Sequence, residues 1–224
     1  FELDDWAFSE TSARTKVLKH FDVQNLKGFG VDHLHTATTA AGAILTYLEQ
    51  TQHHHIEHIT RITRIEEQRY VRLDKFTIRN LELISTNHGD GTSLLSVLDR
   101  TLSPMGARLM RRWMLFPLRS VQDIERRLDS VEYFFREPEF RELCEMELGK
   151  VGDLERIVSK VATGRINPRE MQQLRCALET VVVLKNACKQ SAQESIRHIG
   201  EQLDACTTLR QRIERELRND PPLT

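Results

Sequence analysis

The residues best suited to chemistry crowd one stretch, where His53, His54, His55 and His58 lie within six positions. On a helix, His54 and His58 would share a face, a spacing that can hold a metal. A working site also wants a third ligand and a shielding shell. The neighbours are Gln, Glu and Thr, so the ordinary reading is a solvated helix end or linker. The four cysteines, Cys144, Cys176, Cys188 and Cys206, form no C-x-x-C pair, and no histidine stands at finger-like spacing from them. Zinc is unsupported, and reduced thiols of a cytoplasmic protein are expected. Glu66, Glu67 and Glu82, and the pair Asp123 and Glu125, lack an apolar pocket that would separate their pKa values. No serine or cysteine carries a nucleophile pattern. Gly28 and Gly30 lack the third glycine of a dinucleotide loop, and no G-x-x-x-x-G-K-[ST] occurs. The expectation is a segment with no catalytic residue, no metal and no cofactor of its own.

Charge offers one further candidate. The chain has 224 residues and a net charge of -1, which gives no global pull toward nucleic acid or an acidic membrane surface. Arg100, Arg108, Arg111, Arg112, Arg119, Arg126 and Arg127 nevertheless face only Asp123 and Glu125 within residues 100–127, a local excess of five positive charges. Arg108 and Arg112 lie one turn apart with Arg111 beside them, and these three are the candidates for DNA-backbone contact. Pairing of the arginines with Glu132, Glu137, Glu139, Glu142 and Glu145, which follow, is the favoured reading. Trp113, spaced with Leu109 and Phe116, is read as core rather than as a base-stacking platform.

These residues need helices to position them. Periodicity predicts a helix over 8–23, a loop at 26–30 and an Ala-rich helix over 36–52. Residues 53–69 are polar and poorly periodic. Tyr70 to Leu73 suits a short strand, 75–84 a brief helical turn, and Asn87 to Gly91 a loop. Beyond Thr92 the pattern is almost wholly helical. Ser103-Pro104 and Asn167-Pro168 read as a cap followed by proline at the first helical position. Ser120 and Asp153 read as further caps. Val121, Ile124, Leu128, Val131 and Phe135 form one apolar stripe, Leu154, Ile157, Val158 and Val161 a second, and Met171, Leu174, Leu178 and Val181 a third. Such helices are marginal alone, so the stripes are expected to bury against one another. No apolar run nears the ~20 residues that span a bilayer. The first ten residues carry four acidic side chains and no basic one, unlike a signal peptide. Both ends are expected to continue into a longer protein.

Certain strings occur in a telling order: Lys27-Gly-Phe-Gly30, the Ala-rich 40–48, Leu73-Asp74, Arg79-Asn-Leu-Glu-Leu83, 93–99, Thr101 through Ser103-Pro-Met-Gly-Ala-Arg108 to Trp113, Pro117-Leu118 and Val151-Gly-Asp-Leu-Glu-Arg156. Together they resemble the MutS family of DNA mismatch-recognition proteins along essentially the whole chain. The resemblance implies a mainly α fold, a multi-helix core or lever domain preceded by a small α/β remnant of a connector domain. It implies connector over 1–55 and the first part of the core over 56–224, ending near the DNA-gripping clamp. The family's mismatch-stacking Phe and base-reading Glu, its ATP- and Mg-binding residues and its clamp contacts then lie elsewhere, and Phe1-Glu2-Leu3 is not the Phe-x-Glu motif. What the resemblance carries onto this sequence is structural: Asn80 and Glu82; Pro104, Met105, Gly106, Arg108, Arg112 and Trp113; Gly152, Asp153, Glu155 and Arg156, with Asp153 and Arg156 able to pair. The implied parent is a dimeric, DNA-dependent ATPase of mismatch repair that binds mismatched duplex DNA and a MutL-type partner. The rival readings are a stand-alone nucleic-acid-binding helical module using Arg100 to Arg127 and a helical protein-protein scaffold.

Overall fold

The helix starts follow from short polar side chains at the predicted places. A computed structural model describes residues 3–51, 56–65, 67–88, 90–218 and 220–221. The metal candidates His53, His54 and His55 lie outside the described residues. Residues 1–66 with 159–165 form one compact unit, and 67–158 with 166–224 a second.

In the first unit, Ser9 accepts the Ser12 N–H at 3.2 Å and starts α1, Glu10–His20. His35–Gln50 forms α2. The two helices meet where Gly42 faces Ala13, and a Cβ at Gly42 would stand 2.5 Å from the Ala13 Cα. Only glycine permits that approach. Val17, Leu26, Val31, Leu45 and Ile56 make the core. Arg14 donates to Asp32 at 2.6 Å, and Asp32 also accepts the Leu26 N–H. Those bonds hold the Asp32 carboxyl below its usual range. Among the described residues the start of the chain holds helices and no strand.

The second unit runs through short helices before longer ones: α3, Lys75–Asn80; α4, Leu94–Leu98; α5, Pro104–Leu115; α6, Val121–Arg136; α7, Pro138–Val151; the first part of α8, Leu154–Ala162, whose residues 159–162 group with the first unit; α9, Pro168–Gln190; α10, Glu194–Gln202; and α11, Thr207–Glu216. Asp74, Ser93, Ser103 and Ser120 each accept the N–H three residues on. Asn167 and Glu170 form a reciprocal capping box at the start of α9. α9 is the hub, packed by α7, α10 and α11. Ile157, Leu174, Leu178 and Ile213 form its core.

Several expectations need correction. The strand at Tyr70 to Leu73 reduces to one antiparallel bridge between Tyr70 and Leu118, extended by Val71 N–H to Pro117 O (2.7 Å) and Arg119 N–H to Arg69 O (3.1 Å). Pro117 has no N–H with which to lengthen the ladder. The stripe on α6 is exposed rather than buried: Leu128, Val131 and Phe135 keep 59, 63 and 80% of their surface. On α8 only Ile157 is buried, while Val158 and Val161 are exposed. Trp113 is not core. It is 43% exposed, with the Arg127 guanidinium 3.8 Å from its ring centroid, a cation–π stack. Burial against this surface pushes the Arg127 pKa down.

Candidate functional site

The carried-over residues fall into three local constructions, all in the second unit. The first closes the turn after α3. Glu82 adopts a left-handed backbone (φ +48) that a non-glycine residue holds only when its surroundings insist. Asn87 supplies that insistence: its N–H donates to the Glu82 carboxylate at 2.8 Å, and its side chain both accepts from Arg79 Nε at 3.0 Å and donates to Arg79 O at 3.2 Å. The Leu94 and Leu95 N–H groups then bond Glu82 O and Leu83 O. The Asn80 side chain is exposed and bonds nothing among the described residues.

The second construction is the start of α5. Asp99 accepts the Thr101 N–H and hydroxyl at 3.0 and 2.6 Å, and these bonds lower its pKa. Ser103 accepts the Gly106 N–H at 3.1 Å, and Pro104 stands at the first helical position. A Cβ at Gly106 would lie 3.1 Å from Thr101 Cβ and 3.3 Å from Ser103 Oγ. A side chain there would press on the cap. Met105 is half-buried beside it.

The third joins α5 to the start of α8. The Arg108 guanidinium donates to both carboxylate oxygens of Asp153, at 2.7 and 3.0 Å, and to Glu155 Oε2 from Nε at 2.8 Å and Nη2 at 2.6 Å. The same Asp153 Oδ1 accepts the Arg156 N–H at 3.2 Å, so one carboxylate is at once helix cap and arginine ligand. The Arg108 bonds hold the Asp153 pKa below its ordinary value and raise that of Arg108. Gly152 turns the chain at φ +67, where L side chains are strained, so the acid pair follows at once on a sharp reversal.

Two expectations about charge change here. Arg108 pairs with Asp153 and Glu155 rather than with the nearer Glu132 to Glu145, and the Asp153 carboxylate takes Arg108 where Arg156 was expected. Arg136 pairs with Glu132 and Arg141 with Glu145, each within its own helix. Arg100, Arg111, Arg112 and Arg119 form no ion pair among the described residues. The carboxylate of Glu82 serves a turn and that of Asp123 pairs with Arg69 and Arg126, and no group of three or more metal-ligating side chains occurs among the described residues. Sequence reasoning missed the Arg127–Trp113 stack and the part played by Asn87. An Asn eight residues after the Arg it would hold is the kind of signal that could have pointed to the latter.

A joint of this kind can hold helices at fixed angles and pass a displacement. The model of MutS domain II matches residues 1–60, and that of MutS domain III matches residues 76–224. The chain belongs to the MutS family. Proteins named DNA mismatch repair protein MutS from Phocaeicola vulgatus and Bacteroides fragilis are 59% and 58% identical over 223 residues, and that from Cytophaga hutchinsonii is 44% identical over 223. Each match covers the whole of this chain but 26% of the relative. The chain thus spans about a quarter of the MutS proteins it matches. The joint lies wholly in the stretch matched by domain III. Among the described residues no helix is long and apolar enough to cross a membrane.

Proposed function

We propose that these residues are the transmission segment of a mismatch-repair ATPase, with 1–55 the end of the connector domain and 56–224 the first part of the core or lever. The single observation that carries this reading is the Arg108 clamp. It ties one capped helix to the cap of another across 45 residues of sequence, which is how a rigid element moves as a body. In this reading Asn80, Glu82, Pro104, Met105, Gly106, Arg108, Arg112, Trp113, Gly152, Asp153, Glu155 and Arg156 shape the joints. ATP and Mg act elsewhere in the full-length protein, which works in the cytoplasm as a dimer with a MutL-type partner. Mismatched DNA is held mainly by other domains.

The test is the full-length protein on duplexes with and without one mismatch. Preference for the mismatch, released by ATP, is the expected result. Equal affinity for both duplexes would sink the reading. A second reading, direct contact with DNA phosphates, is favoured by the exposure of Arg111 and Arg112 and their lack of ion partners. Arg108 drops out of it because its donors are taken by carboxylates. Replacing both Arg111 and Arg112 would then lower the salt dependence of DNA binding by about two counterions.

A further inference from the structure

One cleft of the second unit stands apart from the three joints. It holds about 390 Å³ and is lined by Gln68, Tyr70, Val71, Arg72 and Arg119. Clefts for small ligands begin near this size. Its walls are fixed by backbone. The Tyr70–Leu118 bridge, with Val71 N–H to Pro117 O and Arg119 N–H to Arg69 O on either side, pins residues 69–71 against 117–119. The half-buried Tyr70 ring meets Phe116 edge-on, with 5.7 Å between centroids. Arg72 and Arg119 leave opposite ends of this pinned bridge and line the same cleft. A site whose backbone is already set loses less on binding than one that must order itself.

Charge decides what such a cleft accepts. Arg72 and Arg119 are exposed and form no ion pair among the described residues. None of the residues that line the cleft is acidic. Asp123 is shared by Arg69 at 3.8 Å and Arg126 at 3.5 Å. Two unpaired guanidiniums in one cleft call for an anion of more than one charge, and their planar forks match the oxygens of a phosphate. Gln68 adds a neutral donor, while Tyr70 and Val71 give an apolar wall on which a flat ring can lie. A duplex presents its phosphates along an extended, regularly charged backbone. A cleft of this size takes one compact anion instead.

We infer that this cleft is a site for a small phosphate monoester bearing a planar apolar group, with the phosphate held by Arg72 and Arg119 and the ring laid on Tyr70 and Val71. The inference rests on the cleft alone and not on the repair reading.

The experiment modifies the arginines of the full-length protein with butanedione and follows each by mass spectrometry. Phenyl phosphate at about 10 mM is expected to slow modification of Arg72 and Arg119 about fivefold or more, and to leave the exposed Arg111 and Arg112 unchanged. Methyl phosphate, which has no ring, should need about tenfold more for equal protection. In Arg119→Gln the protection of Arg72 should be lost, and in Tyr70→Leu the two esters should become alike. Unchanged rates at Arg72 and Arg119, equal slowing at Arg111 and Arg112, or two esters already alike in the unsubstituted protein would overturn the inference. Protection by a mismatched duplex but not by phenyl phosphate would assign the arginines to DNA and overturn it equally. Modification of both arginines far slower in native buffer than in urea, with no ester present, would show the cleft filled and overturn it as well.

Discussion

Asp153 carries two tasks that substitution can separate. Asp153→Asn keeps an oxygen able to accept the Arg156 N–H, now 3.2 Å away, but removes the charge that holds Arg108. Asp153→Ala removes both. The difference between the variants is therefore the cap, worth about 0.5–2 kcal/mol and centred near 1. The ion pair is largely exposed at Arg108 and Glu155, so its own share is small. One kcal/mol is about a fivefold change in an opening equilibrium. Hydrogen exchange on the peptide spanning Leu154 to Val158 of the full-length protein reads that opening directly. Asp153→Ala is expected to exchange about fivefold faster than Asp153→Asn. Equal exchange in the two variants would refute the capping argument. Acid provides an independent check. The carboxyl of Asp153 is held below its ordinary value of 3.8, so its contribution is full above that value and is lost only as pH falls through the lowered one. Corrected for intrinsic rates, protection of this peptide at about pH 5 should match that at pH 7.

Three further outcomes follow from the same geometry. Gly42→Ala drives a Cβ to 2.5 Å from backbone atoms of Ala13 and should destabilise the first unit by about 1–3 kcal/mol or more; Gly149→Ala, in a helix with nothing within 4 Å, should instead stabilise by up to about 1 kcal/mol, both read by limited proteolysis. Cys176 is exposed, whereas Cys144 and Cys188 are buried and burial pushes the Cys144 thiol up to about 11. At pH 8 a thiol reagent should therefore modify Cys176 first and leave Cys144 unmodified until the fold opens. A double-mutant cycle of Arg127→Gln with Trp113→Leu should return a coupling of about 0.5–1 kcal/mol, and none if the stack does not form.

What was legible in the sequence is what is decided within a few residues. Ser103-Pro104, Ser120 and Asn167-Pro168 announce helix starts because a cap and its N–H partner are three residues apart, and the structure places α5, α6 and α9 there. Asp153 was legible as a cap for the same reason. Its arginine was not, because a charge count over a window favours the nearest acids, and Arg108 reaches past Glu132 to Glu145 to an acid pair 45 and 47 residues away. Periodicity found the α6 stripe but could not say what covers it. The helix is amphipathic on both sides, and its aromatic side, Tyr133 and Phe134, is the one that packs here. Trp113 was misread on the same ground, since an apolar spacing does not reveal that an arginine from another helix roofs the ring. The segment at Tyr70 has strand propensity but only a proline-bearing partner, and so forms one bridge.

If the Arg108 clamp transmits between the DNA end and the ATP end of the full-length protein, as proposed, breaking it must weaken the coupling of the two ends. The most direct measurement is the factor by which ATP changes mismatch affinity, in wild type, Arg108→Asp, Asp153→Arg and the double exchange. The single reversals are predicted to reduce that factor with ATP hydrolysis off DNA unchanged, and the double exchange, which restores opposite charges at the joint, to recover part of it. An unchanged factor in both single variants, with the fold intact by hydrogen exchange, would contradict the account.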